Sequence, residues 1–532
     1  MAKLFLEEEK ILELSRKVFF RENERKALFE KYRNYYYHGT DTPGFQLKRL
    51  FGEINLMASL VFTPENLIVQ PVFKKRIELT EEQQKLLDNF IQIIKDNFYT
   101  YNRLDIEMRD AVRNALIYGF TPVKVYWKNG GVIYKELNIC NFGVLYESFD
   151  IDDPQQVLGH KTFMTPQKIR KLFGVDIEEE IRLIEAARPS SSGRYEMIPV
   201  SKIKAELLYQ PEKLETEVFE VKDGEKLHEV VELWINEKYY TDKDCWHKFV
   251  ILPSINRIVK HEKWELLRHP FFIIAPYPIQ GSCLGFSVIE LIEFIQKKRN
   301  EILEIIDYIT KVRAQPPLII TGMNVSKEQI RSDLEELWKP MGNLIVQDRD
   351  ARISANPPAS TPAELYEELG FLNEQIKYIT GLFEIVMGEA RGVRTSTAMS
   401  ILAAFASQIF REIAHRIASV LEDIFTYTAQ LYRVFCDEKI RINDKEFLLA
   451  DFPYDFRIEI KTYTASPIDL QQMQRWLEAF WQRGDIDTPT LAKILNLPYQ
   501  EEIERAYRKK VEAEAQIKLA EILEEVKEKK RK

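Results

Sequence analysis

The chain has 532 residues and a formal net charge of -8, from 75 basic and 83 acidic side chains. Hydrophobic residues make up 45% and charged residues 30%, which supplies sizeable cores and excludes a disordered chain. The 20 glycines and 23 prolines exclude collagen-like sequence, and a mean hydropathy of -0.30 without a long apolar run argues against a bilayer-spanning helix. The length suggests about three to five structural units.

In chain order, the N-terminus turns acidic at Glu7-Glu8-Glu9 and has no signal-peptide core. Residues 7–37 read as one helix ending in Tyr32, Tyr35, Tyr36 and Tyr37. Such tyrosines can stack on single-stranded bases, or simply pack a helix end. A second helix is expected over 46–62, and Leu67–Phe73 reads as a short strand. Thr80, with Gln83 three residues on, signals a helix start. Residues 103–118 form a helix closed by Gly119. Asn129-Gly130-Gly131 between two β-type runs predicts a hairpin. Further strands follow to about residue 275, including Val230–Ile235 and Phe249–Leu252, with an acidic helical insertion over 166–187.

The character changes after Pro278. Isoleucines at helical spacing predict a helix of roughly 40 Å over 286–313, ended by Pro316-Pro317. Its middle, Gln296-Lys297-Lys298-Arg299-Asn300-Glu301, is polar. Such cations could face neighbours, solvent or a channel. Residues 318–360 are short and mixed, with Leu318-Ile319-Ile320 and Leu344-Ile345-Val346 as strand-like runs. Helix returns over 362–382. A polar loop, Gly388–Arg394, precedes the longest helix, 396–436, of roughly 60 Å. A strand at Phe456–Thr462 and a helical, charged C-terminal region complete the chain.

Motifs for chemistry are sparse. Gly281-Ser282-Cys283-Leu284-Gly285 fits a cysteine version of a hydrolase elbow, but Pro276 and Pro278 interrupt the preceding strand. His228 with Glu232, and His261 with Glu265, each give half a zinc motif and lack the second histidine. There is no Gly-Lys pair and no G-x-G-x-x-G, so no phosphate cradle and no cofactor or metal site is expected. Cys140, Cys245, Cys283 and Cys436 lie far apart, which fits a reducing compartment. An acidic chain is poorly suited to gripping nucleic acid, though it could let DNA pass without sticking.

Four places, taken in order, carry a resemblance. They are the tyrosine-ended helix with Asn55, Asn66 and Pro71; Ala115–Phe120 leading into Val123–Trp127; Gly285-Phe286-Ser287 opening a helix with Gln296 and Asn300; and the Gly388–Arg394 loop before Ala398. The chain resembles the portal proteins, or head-to-tail connectors, of tailed bacteriophages. The resemblance implies an α+β, mostly helical subunit of wing, stem, clip and crown. Residues 1–285 would be the N-terminal part of the wing, 286–313 the first stem helix, 314–361 the clip and 362–382 the second stem helix. Residues 383–395 would be a tunnel loop, 396–465 the long helix with the rest of the wing, and 466–532 the crown.

The same resemblance implies a homo-oligomeric ring, usually a dodecamer, at one capsid vertex of the virion, assembled in the host cytoplasm. Double-stranded DNA would touch it transiently and non-specifically. Glu389, Arg391 and Arg394 would line the tunnel, and Lys297, Lys298 and Arg299 would be stem cations. Leu318, Ile319, Ile320, Leu344, Ile345 and Val346 would form clip strands that pair between copies. Implied partners are the terminase large subunit, major capsid and scaffolding proteins, and a neck or adaptor protein. The competing expectations are a helical scaffold without a DNA role and a hydrolase using Cys283.

Overall fold

The computed structural model describes residues 6–40, 49–62, 67–73, 79–101, 103–187, 227–314, 318–321, 352–355, 361–382, 396–437, 439–442, 445–452 and 455–462, with scattered positions between 477 and 510. Helix outweighs strand, 57% against 21%, in an α+β arrangement of several small sheets. The chain divides into two compact units. One comprises residues 1–382 with 408–463, and the other residues 383–407 with 464–532.

The expected N-terminal helix is two helices, α1 (Glu8–Val18) and α2 (Glu22–His38). The cause of the break lies elsewhere in the chain. Val18 and Phe19 rest on Gly143 and Gly159, where a Cβ would come within 2.5–2.8 Å of their side chains. The chain turns there because the sheet beneath lets it settle close. After α3 (Arg49–Val61) and β1 (Leu67–Phe73) comes α4 (Glu81–Asp96). Thr80 and Gln83 cap α4 reciprocally, as the sequence predicts. A π-turn at Asn97–Tyr101 leads to α5 (Leu104–Tyr118).

Strands β2 (Thr121–Lys128) and β3 (Gly131–Glu136) form the expected hairpin. Asn129 at φ 53 and Gly130 at φ 82 supply the left-handed pair that a tight hairpin turn demands. Strands β4 (Phe142–Val144) and β5 (Val157–Met164) follow. The predicted acidic helix is split into α6 (Pro166–Phe173) and α7 (Ile177–Ala187), with Gly174 at φ 70 ending the first. Next come β6 (His228–Asn236), β7 (Trp246–Leu252), β8 (Arg257–Lys263) and β9 (Phe271–Ile274). Two antiparallel sheets result, ordered β3-β2-β9 and β4-β5-β6-β7-β8.

Phe120, Leu137, Phe142, Leu158, Trp234, Trp246 and Phe271 form one apolar cluster of these sheets. Ile11, Leu12, Leu14 and Val18 of α1 cover Val231, Leu233, Phe249 and Ile251. A polar bolt crosses from one sheet to the other. Lys124 Nζ on β2 donates to both carboxylate oxygens of Glu232 on β6, at 2.9 and 2.7 Å. Trp234 Nε1 donates to the same carboxylate at 2.7 Å.

The remaining elements are α8 (Val288–Ala314), β10 (Leu318–Thr321), β11 (Arg352–Ala355), α9 (Ala363–Thr380), α10 (Ser396–Phe435), β12 (Lys439–Ile442), β13 (Lys445–Leu448) and β14 (Phe456–Thr462). Strand β14 pairs with β1 across almost 400 residues of sequence. Two of its amides go to α10 instead: Ile458 N donates to Thr426 Oγ1 and Ile460 N to Glu422 Oε1, both at 3.0 Å. Phe425 meets Phe98 edge to face, and Asn97 Nδ2 donates to the Tyr432 hydroxyl at 2.8 Å. Thr428 donates to Ile424 O, so the Tyr134 hydroxyl 2.6 Å away donates to Thr428. These contacts fasten α10 to the π-turn and the β2–β3 hairpin. In the second unit, Trp481 Nε1 donates to Thr488 Oγ1 at 3.1 Å. The described residues include no helix long and apolar enough to cross a membrane.

Candidate functional site

The segments that stood out in the sequence meet at the base of α8. Gly39 closes α2 in the left-handed region, at φ 75, which glycine adopts without strain. Its carbonyl accepts from Asn300 Nδ2 at 2.9 Å and from Gln296 Nε2 at 3.3 Å. Gln296 Nε2 also reaches Asn300 Oδ1 at 3.1 Å. Both amide side chains are buried, so this helix end anchors α8 in an apolar setting where water cannot replace it. Alongside, Tyr32 donates to Glu290 at 3.2 Å, and Lys31 pairs with Glu293 at 2.6 Å. Burial and the Glu290 charge push the Tyr32 phenol well above its ordinary range. Tyr36 donates to Asn55 at 3.1 Å. Tyr32, Tyr35 and Tyr36 are therefore buried within the chain, which favours helix-end packing over base stacking; Tyr37 is part exposed.

A second joint lies where α5 ends and α8 begins. Gly119, at φ 91, and Gly285 are packed backbone to backbone. A Cβ on Gly285 would stand 2.6 Å from the Gly119 carbonyl, and one on Gly119 would strike the Gly285 carbonyl. Ser287 Oγ donates to Ile117 O and accepts from Ile289 N at 3.0 Å, tying the first turn of α8 to the last turn of α5. The glycines of the Gly281–Gly285 motif thus serve close packing. Cys283 is two residues from this crossing, and burial pushes its thiol up to about 11. That opposes the thiolate a nucleophile needs at neutral pH.

Along α8 the three consecutive cations diverge. Lys297 and Lys298 are exposed, with Lys298 4.0 Å from Glu301. Arg299 is only 1% exposed and donates to Asn373 Oδ1 of α9 at 3.3 Å. It holds the two helices of one chain together. The opposite side of α8 carries Leu291, Phe294, Ile305 and Tyr308, all exposed, with Phe294 at 81%. On α9, Phe371 is 62% and Tyr378 54% exposed. The sequence signal for these aromatics was the presence of apolar residues on both sides of α8. The isoleucine periodicity alone marks only the buried side.

Beyond the far end of α8, β10 is paired antiparallel with β11 in the same chain, Leu318 opposite Ala355 and Ile320 opposite Ile353. The partner Arg352–Ala355 was not read as a strand. Its in-chain pairing occupies one edge of Leu318-Ile319-Ile320. Leu344, Ile345 and Val346 lie outside the described residues, as do Glu389, Arg391 and Arg394 of the expected tunnel loop and most of residues 466–532, the expected crown.

The half-zinc motifs are not brought together as a chelate. His228 opens β6, and Glu232 is engaged by Lys124. His261 instead faces His247 across β7 and β8, Nε2 to Nδ1 at 2.9 Å. Among the described residues no group of three or more metal-binding side chains converges.

Comparison with known families supplies the class. The profile of the family described as phage SU10 portal protein matches residues 150–483, well over half of the chain. The chain belongs to that portal protein family. Solved chains that match include one from the neck of a native gene transfer agent particle computed with C12 symmetry, at 10% identity and a TM-score of 0.39. The match covers 84% of this chain and 89% of that one. Another comes from the virion of a native gene transfer agent particle, at 10% identity and TM-score 0.39, covering 92% and 94%. No curated protein matches.

Proposed function

We propose that the chain assembles head to tail into a closed ring at one capsid vertex, and that double-stranded DNA passes along the ring's axis during packaging and ejection. Membership of the portal family supports a structural role in a phage particle. The observation that carries the ring is the α8–α9 pair, whose inner side is buried while Phe294, Tyr308, Phe371 and Tyr378 stay exposed. Large aromatics set this far into water on paired helices mark an interaction surface. A heterologous interface that closes by rotation satisfies each copy's two different faces at once.

On this reading the channel holds DNA loosely. A chain of net charge -8 repels the phosphate backbone overall, and scattered cations give brief, salt-sensitive contacts. Of the stem cations Lys297 is the one open to such contact, since Arg299 is spent on Asn373 and Lys298 lies on the same exposed face as Phe294 and Ile305. Arg391 and Arg394, with Glu389, would line the narrowest part. The clip would receive the terminase large subunit and later the neck or adaptor protein, while capsid and scaffolding proteins would surround the wing. The protein would be part of the virion, assembled in the host cytoplasm, and would act without catalysis or cofactor. Negative-stain microscopy of the purified full chain tests the ring. Rings with a central hole are expected; monomers or rods at assembly concentrations would favour the scaffold reading and overturn this one.

A further inference from the structure

The two exposed faces of the stem differ in chemistry and match in height. An α-helix turns about 100° per residue, so Leu291, Phe294, Lys298, Glu301, Ile305 and Tyr308 of α8 fall within an arc of roughly 100°. All six are exposed, while Ile292, Gln296 and Arg299 lie on the other side and are buried. On α9, Leu372, Ile376 and Thr380 are buried. Phe371, Glu374 and Tyr378, all exposed, fall on the side away from α8, together with Glu367.

The strand pair β10–β11 turns the chain back, so α8 and α9 run antiparallel with Arg299 against Asn373. Both helices rise by the same 1.5 Å per residue. Phe294, five positions before Arg299, is therefore level with Tyr378, five positions after Asn373. Lys298 is level with Glu374 by the same count. A rotation about an axis running along the hairpin carries every residue to the same height on the next copy. Levels matched within one chain stay matched between chains.

Resting on the ring reading, we infer that the exposed stripe of α8 seats on the far face of α9 in the next copy, Phe294 against that copy's Tyr378 and Lys298 against its Glu374. The helices then alternate around the ring, α8 and α9 of one copy followed by α8 and α9 of the next. Lys298 of the stripe, with Lys297 at its border, meets a face carrying Glu367 and Glu374, so charge favours this pairing over α8 against α8, where Lys298 would face a copy of itself. At present both partners are satisfied locally, Lys298 by Glu301 at 4.0 Å and Glu374 by Lys377 at 2.8 Å. Lys298 and Glu301 form an exposed pair that exchanges at little cost, and the Glu374 carboxylate is itself exposed enough to take a second cation.

The test is thiol cross-linking in the full chain carrying Phe294→Cys and Tyr378→Cys together, read on denaturing gels, with each single variant as control for the four natural cysteines. A ladder of cross-linked oligomers in the double variant, absent from both singles, is expected. Normal rings by microscopy with no such ladder would overturn this pairing and leave the ring standing. An unsubstituted chain that forms no rings would remove the ring and the pairing together. A charge exchange gives a second readout that does not depend on the new thiols. Lys298→Glu should lose ring yield, and adding Glu374→Lys should restore it; loss in both without restoration would count against the pairing.

Discussion

Replacing Lys124 with methionine should leave a carboxylate stranded between the β3-β2-β9 sheet and the five-stranded sheet. The side chains of Lys124 and Glu232 are only 14% and 15% exposed. Burial raises the cost of the Glu232 charge, but the ammonium groups of Lys124 and Lys248 outweigh it and hold the carboxyl down to about 2, against an ordinary 4.5. At 1.36 kcal/mol per pH unit, that depression corresponds to about 3 kcal/mol at neutral pH. Desolvation in turn pulls the Lys124 ammonium below its ordinary value, so the intact pair contributes less than the Glu232 figure alone. Removing one member is harsher than removing both. Lys124→Met should cost about 3 kcal/mol in urea unfolding at pH 7, while Lys124→Met with Glu232→Gln should cost less than the two single losses combined.

The pH dependence gives the sign. Because the folded carboxyl is depressed, its contribution is present above about pH 4.5 and is lost as pH falls toward 2. In Lys124→Met the larger part of the depression is gone, with the Lys248 ammonium remaining, so the gap between variant and parent should be widest at neutral pH and narrow below 4.5. A loss under about 1 kcal/mol at pH 7, or a gap that stays constant from pH 7 to pH 3, would refute the idea that this pair bolts the sheets together.

Three further outcomes are expected. Gly119→Ala combines a strained φ of 91 with a collision against the Gly285 carbonyl, and should cost about 2–4 kcal/mol. Gly174→Ala, at φ 70 but with open space around it, should cost about 1 kcal/mol by the same unfolding assay. Arg391→Ala with Arg394→Ala should leave rings intact by microscopy while changing the amount of DNA packaged or retained; wild-type packaging would remove the tunnel-loop assignment. Deleting residues 318–346 takes out β10 and should abolish rings while leaving soluble subunits, so normal rings from that deletion would show the clip is not an assembly element.

Where the determinant of structure is local, the sequence announced it. The Thr80–Gln83 cap, the Asn129-Gly130 turn and the Gly119 stop each need only neighbouring residues, and each is found as read. The break between α1 and α2 has no glycine or proline to mark it. It depends on Gly143 and Gly159, more than 120 residues downstream, lying under Val18 and Phe19. The same holds for β11, four residues with an arginine and a serine that become a strand only because β10 is there to pair with. The split between α6 and α7 departs from the single insertion expected over 166–187, although Gly174 is an ordinary helix-end signal. Along α8, composition located the polar centre but could not say which cation turns inward. Arg299 does so because Asn373 of α9 meets it, a fact of tertiary pairing.

The helix α10 also acts as a closing strand. By accepting the amides of Ile458 and Ile460 through Thr426 and Glu422, it fills hydrogen-bonding positions along β14 that a second strand would otherwise take. Threonine and glutamate one helical turn apart reproduce, with side chains, part of the acceptor row of a neighbouring backbone. Copies held side by side bring strand edges to high local concentration, and an open one would invite exchange or mispairing between them. On the ring reading, the four-residue ribbon β10–β11, with no such helix across it among the described residues, would be a place where strand exchange between copies stays permitted. A helix that discourages pairing at one sheet, and leaves it available at another, helps choose which surfaces of the chain can recognise their own kind.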